Sequence, residues 1–279
     1  MKEASLLLLA AVGSLAGCSG HSAVSAQRLP TVVTVVARDY GYELPKSIPA
    51  GVTTIRLVNE GKELHHMQIV RLDQGKSAAD FFAEMTHEGP LPAWAVPVGG
   101  PNAAEPGATV SETQQLAPGN YAVMCMIPGA DGKPHFTRGM TGSFEVTKST
   151  APAATEPAAD LVVSLVDYNF SVAGDIKPGS HTLRVENKGT QPHEAVLVRL
   201  ESGKTLGDLL NWVEHPDQGP PPAHFIGGLV GLAPGDHAFF GANFTPGIYG
   251  WLCFLPDVKD GKPHLMHGMM TQFIVGSPS

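Results

Sequence analysis

Two stretches decide the reading of this chain: CMIPGADGKPHFTRGM, residues 125–140, and CFLPDVKDGKPHLMHGM, residues 253–269. Each opens on a cysteine (Cys125, Cys253) and passes a proline (Pro128, Pro256). Each then reaches Gly-Lys-Pro-His (His135, His264) and closes on Gly-Met (Met140, Met269). A thiolate, an imidazole and a thioether delivered from one loop make a soft donor set suited to a transition metal. The spacing from His to Met is the same in both copies, and the second loop has one extra residue before its histidine.

Working outward, the copies extend over whole domains. Asp39-Tyr40-Gly41-Tyr42 matches Asp167-Tyr168-Asn169-Phe170, Asn59 and Gly61 match Asn187 and Gly189, and His65 matches His193, each pair 128 apart. Repeats of this length are domains rather than solenoid units, which are much shorter. The expected division is 1–18 as an export signal, 19–30 as a tether, 31–147 as the first domain, 148–159 as a flexible Ala/Pro/Thr-rich linker and 160–279 as the second domain. Alternation marks strands at 52–58, 67–72, 108–116, 120–126 and 141–146, and at 180–186, 195–200, 237–244, 248–254 and 271–275. Ser77-Ala-Ala-Asp80 and Thr205-Leu-Gly-Asp208 each start one short helix, with Phe81, Phe82 and Met85, or Leu206, Leu209, Leu210 and Val213, on a core-facing side. Pro/Gly-rich excursions, 89–107 and 219–235, follow the helices. The sum is an all-β fold: two tandem Greek-key β-sandwiches, each with one inserted helix.

The run from Ala4 to Ala16 is apolar and too short for a permanent span. It ends in Leu15-Ala16-Gly17-Cys18, which resembles the lipobox of bacterial lipoproteins; the alternative is an ordinary signal with an incidental Cys18. The resemblance implies a lipid anchor on Cys18. With Ser19 rather than Asp following it, the periplasmic face of an outer membrane is favoured. Of three cysteines, Cys125 and Cys253 remain, one in each half. Exported chains usually pair their thiols. Either these two bridge the domains, or a metal holds each one, or both are free and buried. The net charge of −8 argues against a nucleic-acid partner.

Copper takes a thiolate and two imidazoles in a trigonal set, with a weak axial thioether. The candidate ligands are His65, Cys125, His135 and Met140, then His193, Cys253, His264 and Met269. On these residues each half resembles a cupredoxin, and the loop is most similar to the type 1 copper loop of copper nitrite reductases, which are also two-domain proteins. The resemblance implies one copper per domain, two in total, and one-electron transfer with a redox partner protein such as a cytochrome. Related two-domain members often form trimers, which leaves a homo-oligomer open.

It also argues against an enzyme. Nitrite reductases place a type 2 copper histidine directly before the cysteine, where this chain has Met124 and Leu252. There is no His-x-His or His-Cys-His for a trinuclear cluster. A type 2 site would have to come from His87, His215, His224 or His237. Cupredoxins usually follow the first histidine with an Asn that ties the ligand loops; here stand His66 and Glu194. His66 is an alternative ligand to His65, and Glu194 would suit a harder ion or change the colour of its site. Met266, His267 and Met270 are spare donors. They keep open envelope copper storage or delivery. A metal-free interaction module is the remaining alternative.

Overall fold

The computed structural model describes residues 28–85, 91–215 and 218–276. Cys18 and His87 lie outside the described residues. The first half runs β1 (Thr31–Arg38), β2 (Gly41–Glu43), β3 (Ser47–Pro49), β4 (Gly51–Asn59), β5 (Gln68–Leu72), α1 (Ala78–Glu84), β6 (Ala95–Pro97), β7 (Thr109–Leu116), β8 (Gly119–Met124) and β9 (Thr141–Thr147). The second half runs β10 (Leu161–Val166), β11 (Asn169–Ala173), β12 (Gly179–Asn187), β13 (His193–Leu200), α2 (Leu206–Glu214), β14 (Ala223–Leu232), β15 (His237–Phe244), β16 (Gly247–Leu252) and β17 (Met270–Val275).

In each half two sheets close on a core. β3-β9-β8-β5-β6 faces β7-β4-β1-β2, and β14-β13-β16-β17 faces β11-β10-β12-β15. The inward residues alternate along the strands as a half-buried sheet requires: Val35 and Ala37, Ile55 and Leu57, Leu183 and Val185 are all buried. Both helices start in a capping box, Ser77 with Asp80 and Thr205 with Asp208. Phe81, Leu206 and Leu209 are buried, but Val213 is exposed and Trp212 packs on the core in its place. Among the described residues no helix is long and apolar enough to cross a membrane.

Two expectations are corrected. The excursion 219–235 holds a ten-residue strand, β14, which is the edge of its sheet and pairs along β13. The halves are not joined by a flexible linker alone. β15 pairs β7 antiparallel, so one eight-stranded sheet runs through both halves. The segment after β6 also lies against β14, with backbone bonds Gly99 N to Gly231 O (2.9 Å), Val230 N to Gly100 O (3.1 Å) and Asn102 N to Gly228 O (3.2 Å). The last two are related by the 128-residue offset, so this contact has an approximate twofold axis. The close approach needs glycine: a Cβ on Gly100 would lie 1.9 Å from the Met67 carbonyl oxygen, and one on Gly228 1.9 Å from that of Ala195. Segment 148–159 is itself tied down, with Glu156 2.8 Å from His237 and the Arg28 guanidinium donating to the Pro152 carbonyl.

Candidate metal centres

Each centre is built where β8 or β16 ends. Cys125 N donates to Met140 O (3.2 Å) and Phe136 N to Cys125 O (2.9 Å), so the loop folds back on its own cysteine. Cys253 N to Met269 O (3.2 Å) and Leu265 N to Cys253 O (2.9 Å) repeat this. Each loop histidine opens one turn of 3₁₀ helix, His135–Arg138 and His264–His267, ended by Gly139 at φ 102° and Gly268 at φ 97°. That left-handed stop explains the glycine before each methionine. The upstream histidine follows a turn held by a buried asparagine. Asn59 donates to the carbonyls of Glu63 and Ala104 (both 2.8 Å), and Asn187 to those of Gln191 (2.9 Å) and Leu232 (2.7 Å).

The donor atoms converge. His65, Cys125 and His135 form one group and His193, Cys253 and His264 another; in each, three ligand atoms lie within 4.8 Å of one another, and all six residues are buried. Nδ1 faces Nδ1 at 3.2 Å in the first and 3.0 Å in the second, and the loop histidine Nδ1 is 3.6 and 3.2 Å from sulfur. Met140 and Met269 are fully buried in the same core clusters as Cys125 and Cys253. Both thiols are free, so no disulfide bridges the halves.

Outside each group stand carboxylates. His65 Nε2 meets Asp39 at 2.9 Å, His135 Nε2 meets Glu63 at 2.8 Å, and His193 Nε2 meets Asp167 at 2.5 Å. A carboxylate accepts, so Nε2 carries the proton and Nδ1 keeps its lone pair. In the first group two lone pairs and a sulfur then point at one water-excluded spot, and in the second His193 supplies one such lone pair. Burial pushes the Cys125 thiol up to about 12 and raises Cys253 as well, while it lowers His135 and takes His264 down to about 4. His135 and His264 are thus neutral at neutral pH, and a cation in the pocket would reverse the penalty on the thiolates. The donor set fits copper.

Gly61 and Gly189 follow from the same geometry. A Cβ there would stand 2.6 Å from His65 Nε2 and 2.5 Å from His193 Nε2. Asp39 and Asp167 are positioning residues that the sequence reading aligned without assigning a role; their signal was recurrence at the same position in both halves. Tyr42, whose hydroxyl donates to the His66 carbonyl and lies against the Cys125 sulfur, was also missed.

His66 is not in the first group. Its Nε2 accepts from Met126 N at 3.2 Å, and burial lowers it to about 3. Glu194 does the same service in the second half, accepting from Phe254 N at 2.7 Å. Each therefore ties the upstream histidine to the residue after the cysteine. Glu194 points neither oxygen at the pocket, contrary to the expectation of a hard ligand; its backbone N–H faces the Cys253 sulfur at 3.4 Å. Of the spare donors, Met266 is exposed and His267 pairs with Asp260 at 3.2 Å, within a group of Asp257, Asp260 and His267. His224 lies near Glu105 and Glu201, His237 on Glu156, and His215 caps α2; none of these belongs to a three-donor group among the described residues.

No family model and no curated protein matches this chain. Solved structures with some likeness include a reduced auracyanin from Roseiflexus castenholzii (24% identity, 43% of this chain and 99% of that one, TM-score 0.29). Another is the blue copper protein auracyanin A from Chloroflexus aurantiacus (21%, 42% and 99%, 0.30). A third is a copper nitrite reductase from Nitrosomonas europaea (15%, 90% and 95%, 0.24). At TM-scores this low these are likenesses only, and the fold rests on the chain's own strands. By those strands the protein is all-β, two β-sandwiches that each carry a buried, metal-capable His–Cys–His group.

Proposed function

We propose that the chain is an exported copper protein that carries single electrons through two type 1 centres, His65–Cys125–His135–Met140 and His193–Cys253–His264–Met269. One observation carries the reading: in each half two imidazole Nδ1 atoms and a thiol are held together in a dry pocket, with the opposite edges of three of the four imidazoles tied to carboxylates. Copper bound there supplies a one-electron couple. The chain's residues hold it on both loops, exclude water, and keep the ligands in place through Asn59 and Asn187. Rigid ligands need little rearrangement on electron transfer, and a closed donor set leaves no open position for a substrate. We read the protein as an electron carrier rather than an enzyme, anchored through Cys18 at the periplasmic face of an outer membrane. Its partner is a redox protein such as a cytochrome, and self-association is part of this reading.

The test is a reductive titration of the copper-loaded protein. An intense visible band that bleaches with one electron per copper and returns on reoxidation supports the reading. Copper lost on reduction would favour delivery, the second reading, which the exposed Met266 beside the second loop supports.

A further inference from the structure

We propose that Asn102, a residue of the first half, is a positioning residue for the second half's metal centre, acting through Glu194 on the Cys253 loop. The proposal rests on reading His193, Cys253 and His264 as a metal centre.

Asn102 is buried in the contact between the halves, on the segment that lies along β14. Its side-chain amide donates to the Leu229 carbonyl (3.2 Å) and to Glu194 Oε2 (3.3 Å). Glu194 is also buried and directly follows the ligand His193. Its other oxygen accepts from the N–H of Phe254, the residue after Cys253, and its own N–H faces the Cys253 sulfur. Glu194 thus clamps the loop cysteine from both sides, and Asn102 is the side chain that holds the clamp's free oxygen. A buried carboxylate oxygen left unpaired is costly, so without Asn102 this side chain would leave its place.

The molecule contains its own control. The first-half counterpart of Glu194 is His66, which accepts from Met126 N–H in the same way. The counterpart of Asn102, at the same offset, is Val230, and His66 Nδ1 is buried without a partner. The second centre is braced by the other half, and the first is not. Removing the Asn102 amide should be felt at Cys253 and not at Cys125, although Asn102 and Cys125 belong to the same half.

The experiment uses the full chain carrying Cys18→Ser, in two backgrounds, Cys125→Ser and Cys253→Ser, each with one loop thiol left. In the metal-free protein, the rate at which an aromatic disulfide reagent modifies that thiol is measured with and without Asn102→Val, which installs the side chain of the counterpart position. The expected result is a rise of roughly 10-fold at Cys253, the scale set by leaving a buried polar group unpaired, with Cys125 unchanged. In the Cys125→Ser background, cobalt(II) held with a thiolate absorption band should pass to a chelator about 10-fold faster. Equal acceleration at both thiols, or at neither, overturns the proposal. Should Asn102→Val fail to fold, Glu194→Gln, which sets two amide donors face to face, carries the same test. A parent protein with no cobalt–thiolate band would refute the metal centre itself, while the thiol rates still decide whether Asn102 braces the loop.

Discussion

The loop histidines of the two centres differ at one atom. His135 Nε2 has Glu63 at 2.8 Å, whereas His264 Nε2 is buried without a hydrogen-bond partner and its nearest carboxylate, on Asp257, is 3.9 Å away. The change lies at a matched position: Gln191 stands where the first half has Glu63, and it donates to Asp257 (2.8 Å) instead of accepting from the histidine. Tyr168 holds the same carboxylate at 2.5 Å. A carboxylate on the outer nitrogen makes an imidazole a more basic ligand and fixes its orientation. The first centre is therefore anchored by its own loop turn, and the second by Glu194 and the neighbouring half. The two pockets share their ligands and the Asp39/Asp167 support and differ in what holds the loop histidine and the residue after the upstream histidine.

The largest effects are expected at the support the two centres share. Asp39→Ala and Asp167→Ala should each lower metal affinity at their own centre by about 10–100-fold, read by competition with a chelator. A loss at both centres from either substitution would mean the halves are not separate ligand units. Next, Glu63→Gln copies the second centre's arrangement onto the first. Less basic ligation disfavours the oxidised metal, so the native second centre should have the higher reduction potential, and Glu63→Gln should raise the first toward it. Voltammetry on the single-cysteine variants checks the order, and a lowered potential would reverse the assignment.

Two smaller effects probe the contact between the halves. Glu112 is fully buried on β7, in register with Phe240, its counterpart in the other half, and its Oε1 has no partner. Burial raises its carboxyl well above the usual range. Unfolded, it ionises near pH 4.3. The folded state keeps the proton longer, so this group's contribution is intact at low pH and is lost as pH rises from about 4.3 toward the folded value. Glu112→Gln should flatten that decline and raise stability at mildly alkaline pH, with little change in acid. Parallel melting profiles would rule this out. Smallest of all, Val230→Asn offers the orphaned His66 Nδ1 an amide. A gain of about 0.5–1.5 kcal/mol in thermal unfolding is expected, with slower modification of Cys125.

The His–Cys–His groupings, the repeat and both helices could be read from the chain because each is a local pattern: a spacing, an alternation or a cap. Asp39 and Asp167 were legible only as recurrence, since their meeting with His65 and His193 depends on how β1 and β10 end beside a distant turn. The strand β14 was hidden by Gly227 and Gly228, at φ 132° and 128°, which look like loop residues. They mark the place where the backbone bends to admit the Ala195 carbonyl, beside a register shift between β13 and β14. The joint sheet was illegible for a related reason. Nothing in the alternation of β7 or β15 says that its edge partner belongs to the other copy. Glu194 shows the limit most plainly: next to a ligand in sequence, it serves the backbone of one loop and the amide of the opposite half.

The proposed function requires two thiolate–copper centres in one chain, each with its own cysteine. The direct measurement is the visible spectrum and copper-to-protein ratio of the copper(II)-loaded wild type, Cys125→Ser and Cys253→Ser. An intense thiolate-to-copper band with one copper per centre is expected, each substitution removing one copper and its share of the band. No such band in the wild type, or both contributions lost with a single cysteine, would contradict it.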